Sequence, residues 1–366
     1  MAKYIHELSK WPSFYWSAEE ILPILSNVRH KQGRMQGIMH SLGFDLRNEA
    51  VLQTLTLDVL KSTEIEGEIL HSDQVRSSLA RRLGLDIAGL VQAERQVEGI
   101  VEVMLDATQN FTEKLDAERL FSWHAALFPV GRSGMVKITV GDWRKNDKGP
   151  MQVVSGFMGK EKIHYEAPEP DRLESEMQTF LDWFNKEGNE DDLLKSGIAH
   201  LWFVSIHPFD DGNGRLARAI ADMQLARSEK DKNRFYSVSA QIRLERNQYY
   251  EILEKTQKGN LDITEWLLWF LQCVDRALNA TEQVLESVFN KTKFWDQHAK
   301  TELNGRQGLM INKLFDGFVG KLTSSKWAKI AKCSSDTALR DITDLLSKEI
   351  LVKEPSGGRS TSYKLK

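Results

Sequence analysis

A chain of 366 residues, 41% hydrophobic and 28% charged, has the composition of a globular protein with enough length for two or three domains. Its net charge of −3 excludes the overall basic excess of a nucleic-acid binder, and its two separated cysteines, Cys273 and Cys333, exclude a disulfide framework. The opening residues carry no apolar leader and the apolar runs at 198–206 and 266–271 fall far short of a bilayer span, so the expected setting is the cytoplasm, without membrane attachment.

Aromatic residues (Tyr4, Trp11, Phe14, Tyr15, Trp16) give way to helical spacing from Ala18, which reads as helical packing. Helical spacing resumes at Val51 and runs into Ser62-Thr63-Glu64-Ile65-Glu66-Gly67. Ser62 and Glu66 stand four apart and share a helix face. Read locally, this is a solvated acidic face ending at a glycine. Helices follow at 93–105 and 116–127, with His124 as a structural histidine inside the second. Residues 131–149, rich in Gly, Lys and Asp, read as loop. Two β-prone runs, 151–155 and 162–165, flank a glycine-bearing turn and predict a hairpin. Such a hairpin is either structural or an edge that recruits an extended peptide. Beyond Pro168 and Pro170, Asp171 is placed to cap a helix over 172–185.

The stretch AHLWFVSIHPFDDGNGRLAR, 199–218, concentrates the chemistry. An apolar helix over 193–206 must end at His207, because a residue before proline is pushed out of the α region. Paired acids and Gly212-Asn213-Gly214 then lead into a second helix, whose orphan N–H groups and positive dipole end favour an anion. Arg215 and Arg218 lie three apart on that helix, with Leu216, Ala219, Ile220 and Met223 turned to the core. Asp211 is an oxygen ligand of the kind Mg²⁺ prefers. His207, with a reference pKa of roughly 6.5, suits a general base. The bland alternative is a satisfied helix-end histidine beside an Asp211–Arg215 ion pair, which leaves the ordered constellation unexplained. No P-loop or kinase catalytic loop is present. Downstream, Tyr249, Tyr250 and Gln257 precede an apolar core helix at 266–274; a stacking role for the tyrosines competes with plain burial.

Residues 280–305 read as a polar helical connector. The last sixty or so run helix, turn, helix and two strands around Gly357-Gly358, the order of a winged helix-turn-helix. Residues 321–366 hold ten Lys/Arg against five Asp/Glu, yet the second helix carries Asp336, Asp341, Asp344 and Glu349 against Arg340 and Lys348. DNA binding through the wing and a protein-contact role therefore both stay open.

HPFDDGNGRLAR, at 207–218, resembles the Fic-domain signature H-P-F-x-[DE]-G-N-G-R-x-x-R at every specified position. The resemblance implies a mainly α-helical fold that transfers AMP from ATP to a protein hydroxyl and releases pyrophosphate. By position, His207 would be the base and Asp211 the Mg²⁺ ligand. Gly212, Asn213 and Gly214 would hold phosphate by N–H groups and an amide, and Arg215 and Arg218 would take the distal phosphates. Val153, Val154, Ser155 and Gly156 would belong to a flap at 151–165 that docks the target and borders the nucleotide. Tyr249, Tyr250 and Gln257 would meet adenosine.

The same resemblance overturns the bland reading of STEIEG, which fits the family's inhibitory motif [ST]-x-x-x-E-[GN]. Ser62, Glu66 and Gly67 would then form an inhibitory element in which Glu66 pairs with Arg218. The implied organisation is an N-terminal helical region at 1–100 with an inhibitory helix around 55–70, a catalytic core at 101–285, a connector at 286–305 and a winged-helix domain at 306–366. The expected activity is a self-inhibited protein adenylyltransferase acting on Ser, Thr or Tyr hydroxyls of targets and of itself. A homodimer is among the states the resemblance allows. AMP removal, and a DNA-binding regulator with a nucleotide-sensing core, are the alternatives.

Overall fold

Helical periodicity governs most of the chain, and the computed structural model realises it as fourteen α-helices and six short strands among the described residues. Those residues are all but 1–2, 42, 86–90, 146–148, 157–158, 160–161, 299, 316–317, 319 and 355–360. The chain divides into two units, Met1–Ala280 and Thr281–Lys366.

The first unit opens with a 3₁₀ turn at Ile5–Glu7. Helices α1 (Ala18–Ser41), α2 (Phe44–Ile65), α3 (Ser72–Leu83), α4 (Arg95–Gln109) and α5 (Ala117–Leu127) follow. Two hairpins come next, β1 (Arg132–Ser133) with β2 (Val136–Lys137) and β3 (Gln152–Ser155) with β4 (Lys162–Glu166). Helices α6 (Leu173–Asn185), α7 (Asp192–Ile206), α8 (Asn213–Glu229), α9 (Val238–Leu244), α10 (Arg246–Gln257) and α11 (Thr264–Gln297) complete the series.

The centre is the pair α7 and α8. Every residue of α7 from Leu193 to Ile206 is buried, as befits a helix apolar on all sides. The Asp191 carboxylate starts it by accepting from the Leu193 N–H at 2.8 Å. Gly197 admits the Phe270 ring of α11, whose Cδ1 would lie 3.0 Å from an added Cβ. Helix α2 is tied to this centre by Asp58, fully buried, which pairs with Arg234 at 2.7 Å while Arg234 also holds Asp222 of α8 at 2.6 Å.

Two local expectations change. Asp171 does not cap a helix: Pro170–Arg172 forms a 3₁₀ turn, and α6 starts at Leu173 without a side-chain cap. Proline's fixed φ favours a helical start at Pro170 itself. The supposed loop at 131–149 contains the hairpin β1–β2, in which Ser133 pairs with Val136 around Gly134 at φ 54. The expected flap is antiparallel, with Val153 opposite Tyr165 and Val154 opposite Ile163 across a bulge. Its positions 157, 158, 160 and 161 lie outside the described residues.

In the second unit, α12 (Gly305–Phe315), α13 (Ser324–Ile330) and α14 (Ser335–Ser347) precede the antiparallel pair β5 (Leu351–Lys353) and β6 (Tyr363–Leu365). Met310, Ile311, Trp327, Ile342 and Leu345 form its core. Gly357 and Gly358, expected at the wing tip, lie outside the described residues. Asp341, counted above among the acids of the second helix, is 5% exposed and accepts from Arg306 Nε at 2.8 Å and Asn304 Nδ2 at 2.9 Å. Asp344 accepts from Gln307 Nε2 at 2.7 Å. Both acids therefore serve packing against α12.

Glycines separate close contact from mere flexibility. A Cβ on Gly99 of α4 would stand 1.9 Å from the Ala126 carbonyl oxygen of α5, whereas one on Gly37 of α1 meets nothing within 4 Å. Gly99→Ala should therefore destabilise the protein by about 2 kcal/mol or more through backbone displacement. Gly37→Ala should stabilise it by about 0.5–1 kcal/mol through helix propensity. Urea unfolding midpoints of the two variants check both signs.

Candidate active site

The turn between α7 and α8 places the motif. His207 ends α7 in the left-handed region, at φ 52 and ψ 59, and its N–H still donates to the Phe203 carbonyl at 3.0 Å. Such a backbone is strained for a non-glycine residue and persists only where neighbours enforce it. Arg144 supplies that enforcement. It is 4% exposed, its Nε donates to the His207 carbonyl at 2.8 Å, and its backbone N–H donates to the Pro208 carbonyl at 2.9 Å. Its Nη2 also reaches the Pro168 carbonyl at the foot of the second hairpin.

The His207 ring has its Nδ1 3.2 Å from the Val204 carbonyl. A carbonyl only accepts, so the proton sits on Nδ1 and Nε2 keeps its lone pair. Burial lowers the imidazole pKa, the Val204 carbonyl opposes, Arg144 adds to the lowering, and the net value is about 4. His207 is therefore neutral at physiological pH.

Asn213 fastens the loop through its amide. Its Oδ1 accepts from the Phe209 N–H at 3.0 Å and its Nδ2 donates to the Phe209 carbonyl at 2.8 Å. The amide that the resemblance assigned to a phosphate is here engaged with the Phe209 backbone on both its oxygen and its nitrogen. Gly212 sits at φ 81, and an added Cβ would lie 2.8 Å from the Phe128 ring, so the turn requires glycine. Asp211 accepts from the Gly212 N–H at 2.6 Å through Oδ1 and from Ser133 Oγ of β1 through Oδ2. Its carbonyl is 3.2 Å from Nε2 of His124, whose ring stacks on Phe209 at 4.2 Å. The structural histidine is thus a support of the motif itself.

Arg218 is the most enclosed charge here, with 2% of its side chain exposed. Its Nε donates to Ser62 Oγ at 2.9 Å, and its Nη2 donates to the Ser62 carbonyl at 2.8 Å and to Glu66 Oε1 at 2.7 Å. Burial would weaken its hold on the proton, but the Glu66 carboxylate more than offsets this and its pKa is raised. Glu66 itself lies one residue past the end of α2, ahead of Gly67 at φ 89. Its Oε1 would be 2.4 Å from a Cβ on Gly214, so the carboxylate lies against the first turn of α8. Arg215, 5% exposed, donates from Nη1 to Glu68 at 3.0 Å and lies over the Phe128 ring at 5.0 Å. Arg215 Nε and Arg218 Nη1 are buried without a hydrogen-bond partner. Native interiors rarely leave such donors unpaired.

The remaining expected residues are spread more widely. Val153, Val154 and Ser155 lie on β3, and Gly156 follows at φ 112. Ser155 Oγ bonds Nε2 of His164, whose Nδ1 bonds Glu254 of α10, which holds the hairpin to that helix. Tyr249 is 2% exposed, with its hydroxyl 2.8 Å from His200 Nε2 and its ring among Trp266 and Trp269. Gln257 is buried and donates to Ser205 Oγ at 3.2 Å. These two belong to the core in this state. Tyr250 is exposed at its edge and directs its hydroxyl to the Ile65 carbonyl at 3.4 Å, beside the Glu66 turn. Glu68, Arg144, Ser133 and Arg246, whose Nε donates to the Ile65 carbonyl at 2.7 Å, carry no motif of their own in the sequence. Only Glu68, two residues past Glu66 in an acidic run, offered any signal.

Residues 114–225 match the family model described as the Fic/DOC family. The chain carries a Fic domain. Residues 4–85, which include Ser62 to Glu68, match a domain of unknown function, DUF4172. The chain is similar to the protein adenylyltransferase Fic of Drosophila willistoni, 24% identical over 261 residues, which cover 68% of this chain and 42% of that one. A shorter likeness to the protein adenylyltransferase Fic of Nematostella vectensis is 32% identical over 115 residues, 31% of this chain and 25% of that one. The chain thus spans less than half the length of these curated relatives. In fold it is similar to a Fic family protein from Desulfovibrio desulfuricans G20, with a TM-score of 0.55 at 22% identity over 96% of this chain and 97% of that one. A Fic domain containing signaling protein from Bacteroides thetaiotaomicron gives a TM-score of 0.51 at 18% identity over 71% and 94%.

Buried histidines around the Fic motif make its stability depend on pH. Burial lowers the pKa of His200 to about 3, with Arg218 adding to the effect. The unfolded chain takes up this proton near pH 6.5 and the folded chain only far below, so stability is lost as pH falls through that window. At pH 5 the loss from His200 is about 2 kcal/mol. His200→Gln, which keeps a partner for the Tyr249 hydroxyl, should flatten the pH 7 to pH 5 change in urea stability by about that amount.

Proposed function

We propose that the chain is a protein adenylyltransferase whose resting state is held inactive by Glu66. The observation that carries the proposal is the pair of buried arginine donors without a hydrogen-bond partner, Arg215 Nε and Arg218 Nη1, in the first two turns of α8. They call for a ligand rich in acceptor oxygens. A polyphosphate supplies these, and the helix N-terminus beneath it favours the same charge.

In this reading the Gly212–Gly214 backbone and the two arginines hold the phosphates of ATP. A target hydroxyl oxygen attacks the α-phosphorus, and its proton passes to the lone pair on His207 Nε2. The bond from the α-phosphorus to the oxygen of the β-phosphate breaks, and pyrophosphate leaves. The lowered pKa keeps His207 unprotonated, and phosphates brought beside it would strengthen it as a base.

Mg²⁺ fits the same corner. Among the described residues no group of three or more His, Cys, Asp and Glu could hold a metal. Mg²⁺, however, usually takes one or two carboxylates together with substrate phosphates. Asp211 is partly exposed and would be that single carboxylate. The ion would neutralise charge on the phosphates and on the leaving pyrophosphate. The target segment would lie along the β3–β4 hairpin, a two-stranded sheet whose Val154 and Ile163 are 49% and 39% exposed.

Glu66 now has a physical part. Its carboxylate pairs with Arg218 and lies where a terminal phosphate would meet that side chain, so ATP and Glu66 compete for one guanidinium. Glu66→Gly should raise self-labelling from α-labelled ATP by about an order of magnitude. His207→Ala in that background should lower it by about 100-fold or more. Label appearing only from γ-labelled ATP would overturn AMP transfer, and unchanged labelling in Glu66→Gly would overturn the inhibitory role.

A further inference from the structure

Glu66 accounts for one of the two motif arginines. The other is held by Glu68, whose Oε2 accepts from Arg215 Nη1 at 3.0 Å. Within a helix, residues two apart face different directions. Here α2 has ended at Ile65, and Gly67 adopts φ 89, so the chain reverses and both acids turn toward the start of α8. A third element fixes the second acid: Gln96 Nε2 of α4 donates to the same Glu68 oxygen at 3.1 Å.

We propose that Glu68 is a second inhibitory carboxylate, which withholds Arg215 from the phosphate chain as Glu66 withholds Arg218. The inference rests on the reading of the site as an ATP site and extends its regulation. A merely structural ion pair fits the geometry less well. Glu68 remains 40% exposed on its side chain, so water would serve it without this contact. Arg215 gains only one bond from it and keeps Nε buried without a partner. A phosphate, with several acceptor oxygens, would engage both nitrogens in fork geometry. The pair is therefore a partial occupant of a site suited to a larger anion.

The arrangement assigns work to the domain of unknown function. Both acids lie in residues 4–85 and both arginines in residues 114–225. The first supplies a two-pronged gate to the second, closed on two adjacent phosphate positions. Removing Glu66 alone opens one prong and leaves Arg215 engaged.

The test is equilibrium binding of ATP and of AMP to the full chain, in the wild type, Glu66→Gly, Glu68→Gln and the double variant. Because the Glu68 pair is partly exposed, its release should tighten ATP binding by about fivefold, both alone and on top of Glu66→Gly. AMP, which lacks the distal phosphates, should bind all four proteins alike. Gln96→Ala, which removes the support of Glu68 without touching the arginines, should shift ATP binding in the same direction by less. Equal ATP affinity of the double variant and Glu66→Gly would overturn the role of Glu68 and leave the ATP site standing. A parallel gain for AMP would do the same, since it would mean general opening. Failure of Glu66→Gly itself to bind ATP would overturn the ATP site, and the second prong with it.

Discussion

A guanidinium with 2% of its side chain exposed must be paired, and Arg218 sets that requirement at the centre of the molecule. Three acceptors come from one short stretch at the end of α2: the Ser62 hydroxyl, the Ser62 carbonyl and Glu66. A neutral hydroxyl and a carbonyl leave the charge uncompensated, so the carboxylate is the partner that matters electrostatically. Any anion that replaced it would have to bring equal charge into the same low-dielectric corner. A phosphate meets that condition and water does not. The Glu66-paired state and the proposed ATP-bound state are thus two solutions to one desolvation problem.

The stretch that supplies Glu66 is independently secured. Asp58, two turns earlier on α2, is fully buried against Arg234 and accepts from Ser237 Oγ, and Arg246 Nε of α10 donates to the Ile65 carbonyl at 2.7 Å. These contacts hold the helix without reference to residue 66. Replacing that side chain therefore changes the charge at Arg218 while the backbone that carried it keeps its anchors. The motif loop is secured in the same way, by Asn213 on the Phe209 backbone, Arg144 on the His207 carbonyl and His124 on the Asp211 carbonyl.

What was legible in the sequence follows from contiguity. His207 to Arg218 occupy one turn and one helix start, so spacing alone put base, acid, glycines and arginines within reach of one another. Ser62 to Gly67 meets that turn from more than a hundred residues away, and periodicity gave it a solvated face; only the family resemblance connected the two. Glu68 escaped because its direction depends on the left-handed backbone of Gly67 and on Gln96, neither of which a helical wheel contains. Asn213 was assigned a phosphate contact by its place in the motif, yet its amide closes on the Phe209 backbone four residues earlier. Asp341 looked like surface charge on α14 until Arg306 and Asn304 of the preceding segment met it. For Glu68 and Asp341 a polar side chain is directed by a partner distant in sequence, which is the information a linear pattern lacks.

Helix α10 gathers the last of these distant partners. Arg246, Tyr250 and Glu254 stand four apart and share one face. The first two reach the Ile65 carbonyl, at the threshold of the Glu66 turn, and the third reaches His164 on the β3–β4 hairpin. One rigid element thus fixes the turn and the hairpin with respect to each other. Sites placed on helices hold their geometry more tightly than sites placed on loops. Here two loop-borne parts, the acidic turn and the strand edge, borrow that precision from a helix between them. The Tyr249 ring, buried one residue out of the stripe against His200, Trp266 and Trp269, keys the helix into the core. Its burial, first weighed against a stacking role, is what gives the stripe a fixed rotation about its axis.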